Sequence, residues 1–137
     1  MKKWIAVLIA GSLGSAFAAD KVHVGLPYVG FSTDLSPTTE VRFTAGLYQL
    51  DVAAPIRLSS DASYVYAAPQ VGFGWTSSFW SPFGKNAGFS AGANLGYNYL
   101  LNEDWRIYGE AGPALYFGSG GVGVGLNVKI GASFTLR

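Results

Sequence analysis

The stretch that most constrains this chain is its last one, Val122 to Leu136. Val122, Val124, Leu126, Val128, Ile130, Ala132, Phe134 and Leu136 stand at every second position, with Gly123, Gly125, Asn127, Lys129, Gly131, Ser133 and Thr135 between them. A helix repeats every 3.6 residues and a strand every two, so this segment reads as a strand with one wholly apolar face and one polar or empty face. Such a strand must lay its apolar side against a protein core or a lipid bilayer, and composition separates the two. Charged residues make up 12% of the 137 residues, whereas an ordinary globular chain carries about 25%. Half of the chain is hydrophobic, nineteen residues are glycine and none is cysteine. That is too little charge to cover a soluble surface, with no disulfide framework to hold a small exported domain. A membrane β-barrel needs neither, because its outside faces lipid and only its rims and interior are polar.

The first residues read as an export signal. Lys2 and Lys3 are followed by the apolar run Trp4 to Ala10, and Ala16-Phe17-Ala18 places small residues where a signal peptidase reads them. Gly11, Ser12, Gly14 and Ser15 break the run short of the ~20 apolar residues a spanning helix needs. Cleavage after Ala18 is expected, leaving 19-137 as a single domain. Without Lys2 and Lys3 the chain keeps seven basic against eight acidic residues, so nothing favours nucleic acid as a partner.

The alternation recurs upstream. Six segments carry it: 21–31, a strand beginning near Thr39, 64–75, 87–100, 105–117 and 122–136. Polar turns separate them at 32–38, 60–61, 102–104 and 118–121, and the longest loop runs from 76 to 86. The expected fold is all-β, an antiparallel up-and-down transmembrane β-barrel. Single-chain outer-membrane barrels have an even number of strands from eight upwards. Two further strands are therefore needed beyond the six, one of them from the 49–60 region, where Pro55 interrupts the alternation. Pro69 suggests a bulge that shifts the register.

Charge and aromatic placement orient the faces. Lys21, Glu40, Arg42, Arg106, Glu110 and Lys129 all fall opposite the apolar face. A basic residue on a lipid face would cost roughly 2 to 4 kcal/mol at mid-depth. Aromatics gather at two levels, Tyr97, Tyr99, Trp105 and Phe134 near the short turns and Phe31, Trp75, Phe79, Trp80 and Phe117 near the loops, as in interfacial girdles. The glycine-rich inner face leaves room for Tyr64, Tyr66, Tyr108 and Tyr116. A four-residue loop at 118–121 sets Phe117 opposite Val122 and so Glu110 opposite Lys129. This predicts a lumen salt bridge, with Arg106, Glu40 and Arg42 extending the charge network. His23 stands alone, outside any catalytic motif, and Asp61, Glu103 and Asp104 read as turn residues. No catalytic, cofactor-binding or metal-ligating set is assigned.

Lys129 to Leu136, K-I-G-A-S-F-T-L, resembles the C-terminal assembly signal of bacterial outer-membrane barrels. Lys129 fills its polar position, Gly131 the glycine, Phe134 the aromatic and Leu136 the final hydrophobic, with Arg137 added after it. With the signal peptide and the meander, the whole chain is similar to the small outer-membrane β-barrel proteins (OmpA/OmpW/OmpX-like). The resemblance implies residence in the bacterial outer membrane, with its lipid and the barrel-assembly machinery as partners. It implies a structural, adhesive or narrow-channel, porin-like role without catalysis. Two alternatives stand beside it: a soluble exported β-barrel holding a lipid or other apolar ligand inside, and an outer-membrane lipid-modifying enzyme.

Overall fold

The structure, a computed structural model, describes residues 20–26, 28–46, 49–74, 88–118 and 121–136. The signal peptide expected over 1–18, and Trp75, Phe79 and Trp80, lie outside the described residues. The described residues form one closed antiparallel barrel of eight strands. In chain order these are β1 (Lys21–Leu26), β2 (Tyr28–Asp34), β3 (Glu40–Gly46), β4 (Gln49–Ala53, continued past Pro55 by Ile56–Arg57), β5 (Tyr64–Gly74), β6 (Gly88–Leu100), β7 (Trp105–Gly118) and β8 (Gly121–Thr135). Each pairs with the next, and β1 closes on β8.

One extra strand comes from dividing 21–31 and the other from the 49–60 region, where Pro55 hides the pattern. The segment 21–31 is not one strand but the two arms of a hairpin, paired from Lys21↔Ser32 to Val24↔Val29. The reversal changes the parity: Val24 and Leu26 point outward, but Tyr28, which the alternation had set on their face, points inward and is buried. Ser32 to Asp34, expected as loop, belong to β2, and the turn is 35–39, where the Ser36 hydroxyl accepts the Thr38 and Thr39 amides at 3.3 and 3.1 Å. In β4 the register runs unbroken across Pro55. Ala53 faces Gln70 and Ile56 faces Ala67 on one side, while Pro55 accepts the Glu40 amide on the other.

Pro69 does not shift the register. It pairs with Ala93 in an even ladder from Tyr64↔Asn98 to Gly74↔Gly88, and its carbonyl accepts the Ala54 amide at 2.9 Å. Its missing donor therefore falls beside the Pro55 interruption, so two ladder defects share one place. At the 118–121 loop Gly118 and Gly121 already pair, which makes the turn tighter than four residues. Gly121 has a φ of 113°, a conformation that favours glycine.

Closure fixes the shape. Crossing ladder by ladder from Phe134, the partners are Val22, Phe31, Phe43, Val52, Val71, Ala91, Leu115 and Val124, ten residues along β8 from the start. Eight strands with that stagger tilt by about 40°. Every residue on this path faces out, so the outer surface is an apolar belt. Val124, Leu126, Val128 and Ile130 are each more than half exposed on it. The inner face carries His23, Ser32, Arg42, Thr44, Asp51, Gln70, Asn94, Glu110, Lys129 and Ser133, all buried. Polarity thus runs opposite to that of a water-soluble domain.

The short-turn end is girdled by Trp105, Tyr97 and Tyr99, half-exposed on the outside, with Trp105 against Phe134 at 5.0 Å between centroids. Phe117, Phe89 and Phe73 stand at the loop end. Phe31, expected at the loop end, instead neighbours Val22 and stacks on Phe43 at 5.3 Å, on the short-turn side. The wall is not of even height. Strands lengthen from six residues in β1 to fifteen in β8, and among the described residues Gly121 to Lys129 pair with β7 alone.

Candidate functional site

The inward residues at mid-height form two interlocked charge clusters. In the first, Arg42 on β3 donates through Nη2 to Glu110 Oε1 at 2.6 Å across the lumen. Glu110 also accepts the Tyr66 hydroxyl on Oε2 at 2.6 Å and the Asn94 amide on Oε1 at 3.1 Å. In the second, Lys129 donates to Asp51 Oδ1 at 2.7 Å and to Gln70 Oε1 at 3.2 Å. Asp51 accepts the Thr44 hydroxyl at 2.6 Å and the Gln49 amide at 3.2 Å. Two cations meet two carboxylates, each carboxylate with neutral donors on its remaining lone pairs. That satisfaction is what a buried ion pair requires to offset its desolvation.

Of the five charges expected to form a lumen network, Arg42, Glu110 and Lys129 meet here, but the expected Glu110–Lys129 salt bridge is not formed. Glu110 and Lys129 are cross-strand neighbours as the register required, but their ion-pair partners are Arg42 and Asp51. Glu40 and Arg106 lie outside the central clusters. Glu40 takes Lys21 at 2.8 Å, which also holds Asp34 at 2.9 Å, near the short-turn mouth. Arg106 donates to the Ala62 carbonyl at 2.8 Å. Asp51, Gln70, Thr44 and Asn94 were missed. Asp51 and Gln70 sit one to each side of the proline defects, where alternation alone gave no parity. Following the β4–β5 register through Pro55 would have placed both inward.

Tyrosines fill the space that glycine leaves. A Cβ on Gly96 would sit 2.4 Å from Tyr66 Cζ, and one on Gly131 would sit 2.7 Å from the Tyr28 hydroxyl and 2.9 Å from that of Tyr108. The Tyr28 hydroxyl donates to that of Tyr108 at 2.5 Å. Gly131, the glycine of the C-terminal motif, thus makes room for this bond across the lumen. Lys129 of the same motif points inward, Phe134 points outward, and Leu136 lies just past the end of β8. Gly96→Val is expected to push Tyr66 off Glu110 and destabilise the fold by about 1 to 3 kcal/mol, the usual cost of overpacking. Urea-dependent unfolding followed by far-UV circular dichroism checks it.

His23 Nε2 lies 2.7 Å from the Ser32 hydroxyl, with the His23 ring edge-on to Tyr108 at 5.6 Å. The relative exposure of Ser32 is 0%. The pair is packed inside the wall rather than presented to a substrate. Outside the strands, Asp20 accepts the Asp34 amide and the Thr33 hydroxyl, both at 2.8 Å, which hold its carboxyl below the usual carboxylate range. This tie between Asp20, just ahead of β1, and β2 stabilises at pH above the ordinary carboxylate value and is lost as pH falls through the lowered one.

Among the described residues the inward face is polar rather than the apolar lining that the soluble apolar-ligand alternative requires. An apolar depression of about 690 Å³ lies on the outer wall instead, among Phe31, Phe43, Leu50, Phe73, Phe89 and Phe117. Searched against family models, curated proteins and solved structures, the chain finds no match.

Proposed function

We propose that this protein is a small integral β-barrel of the bacterial outer membrane, exported by a cleaved N-terminal signal, with a structural or adhesive rather than catalytic role. The observation that carries the reading is the inverted polarity of the wall. Val124, Leu126, Val128 and Ile130 lie outside and more than half exposed, while Arg42, Asp51, Glu110 and Lys129 lie inside and buried. Water would penalise that arrangement, whereas lipid favours it. The aromatic belts at both ends and the C-terminal motif of Lys129, Gly131, Phe134 and Leu136 support the same reading, and with it recognition by the barrel-assembly machinery.

The central clusters favour a closed barrel over a porin-like channel. Arg42–Glu110 and Lys129–Asp51 bridge strands from different sides of the lumen, and tyrosines occupy the room around them, as in narrow barrels filled by side chains. Refolded protein in planar bilayers is expected to show no sustained open conductance, and steady open channels would favour the narrow-channel role instead. Membrane residence itself is tested on gels. Mature protein should need detergent for extraction and should migrate differently unheated and boiled, whereas recovery as a soluble periplasmic monomer would reject the proposal.

A further inference from the structure

Gly109 stands on the outer face of β7, unlike Gly96 and Gly131, which make room for tyrosines inside. Its ladder partners are Tyr97 on β6 and Ile130 on β8, both pointing outward and half-exposed or more. A Cβ built on Gly109 meets nothing nearer than the Lys129 carbonyl oxygen, at 4.0 Å. No neighbour in the chain therefore requires glycine here, although glycine weakens a strand interior and often marks a place where something else approaches closely. With Ala111, two residues on, Gly109 floors a shallow depression of about 490 Å³. Leu95 and Tyr97 wall it on one side, and Val128 and Ile130 on the other. Glu110 and Lys129 also border it, but their side chains point inward and are buried.

Beside this hole stands a knob. Leu95 projects from β6 with 60% of its surface exposed, one strand away from Ala111, its ladder partner. With strands tilted by about 40°, the step from Leu95 to Ala111 climbs ~3 Å toward the loop end, and the two residues back to Gly109 descend ~5 Å. Leu95 thus lies at a depth between Gly109 and Ala111. A two-fold axis along the membrane normal keeps every residue at its own depth. The knob of one copy is then level with the hole of another, and the contact closes on itself. Lipid tails are as apolar as leucine, so two barrels gain by packing closely rather than by leaving lipid, and small residues permit that approach. Ala93 and Pro113, exposed on the outer face toward the loop end, keep the neighbouring wall low.

We infer that two copies of this barrel pair in the membrane through β6 and β7, with Leu95 of each seated between Gly109 and Ala111 of the other. The inference rests on the membrane residence proposed above. The test follows the full mature chain by sedimentation equilibrium in density-matched zwitterionic micelles, where the parent should form a reversible dimer. Leu95→Ala removes the knob and Gly109→Leu fills the hole, and each should weaken dimerisation at least ~10-fold. Mixed in equal amounts, the two variants should recover most of the parent's affinity, because the side chain enlarged at 109 in one meets the side chain shortened at 95 in the other. Misfolding would not be repaired by mixing, and both variants should keep the parent's heat-modifiable mobility.

A parent that needs detergent and shows heat-modifiable mobility, yet stays monomeric at every concentration, would overturn the inference and leave the depression to lipid. So would a dimer that both substitutions leave intact, or two variants whose mixture stays monomeric. Recovery as a soluble periplasmic monomer would instead reject membrane residence, and the inference with it.

Discussion

Glu110→Ala is expected to destabilise the barrel by about 3 to 5 kcal/mol, the cost of leaving a buried charge without its partner. Arg42 is 2% exposed and Glu110 lies on its Nη2 at 2.6 Å, so the guanidinium would be stranded, and Tyr66 and Asn94 would lose their acceptor as well. Glu110→Gln keeps the shape and one acceptor but loses the charge, and should fall between the two. Replacing Arg42 and Glu110 together by Met should recover much of the loss, because the pair's own desolvation then disappears with it. Urea titrations of the refolded variants, read by tryptophan fluorescence, order the three. Equal stability of Glu110→Ala and the parent would mean that the central cluster is not dry.

Val128→Arg carries the second large effect, and its sign depends on what surrounds the wall. Val128 faces outward, 55% exposed, midway along β8 between Val124 and Phe134. In lipid an arginine there costs about 2 to 4 kcal/mol, falling to about 0 to 1 near the interfaces. Val122→Arg, at the loop end of the same strand, should accordingly be tolerated. Around a barrel bathed in water, arginine at either position would change little. Refolding yield and urea midpoint in lipid vesicles, compared for the two variants, give the gradient with depth that only a bilayer produces.

What could be read in the sequence follows strand regularity. From Gly88 to Thr135 the chain alternates without proline interruption of parity, and there the faces and even the Glu110↔Lys129 register follow from counting residues, although the turn at 118–121 is tighter than the expected four residues. The Asn102 turn is equally legible, because its side-chain oxygen accepts the Asp104 and Trp105 amides at 2.9 and 3.0 Å, a local bond that competes with strand pairing. The N-terminal half is harder. A turn as tight as the one between β1 and β2 leaves hardly any polar loop to mark it, and it inverts the faces, so Tyr28 and Phe31 were misplaced together.

Ion-pair choice is a different difficulty. Register sets which backbones are opposite, but long side chains in a narrow lumen reach across to strands three or four away. Lys129 passes over its neighbour Glu110 to reach Asp51, 78 residues earlier in the chain. No one-dimensional spacing encodes that distance. The stagger of ten residues does, once all eight ladders are known.

The central claim, that the apolar side of β8 faces lipid and the glycine side faces the lumen, is tested most directly by two neighbouring single cysteines in a chain that has none. Asn127→Cys and Val128→Cys, each labelled with an environment-sensitive fluorophore and refolded into vesicles, differ only in the face they occupy. The label at Val128→Cys is predicted to be quenched by nitroxide-bearing lipid and to emit at the blue end, and the label at Asn127→Cys to be far less affected. Equal quenching at both positions, or stronger quenching at Asn127→Cys, would contradict the account.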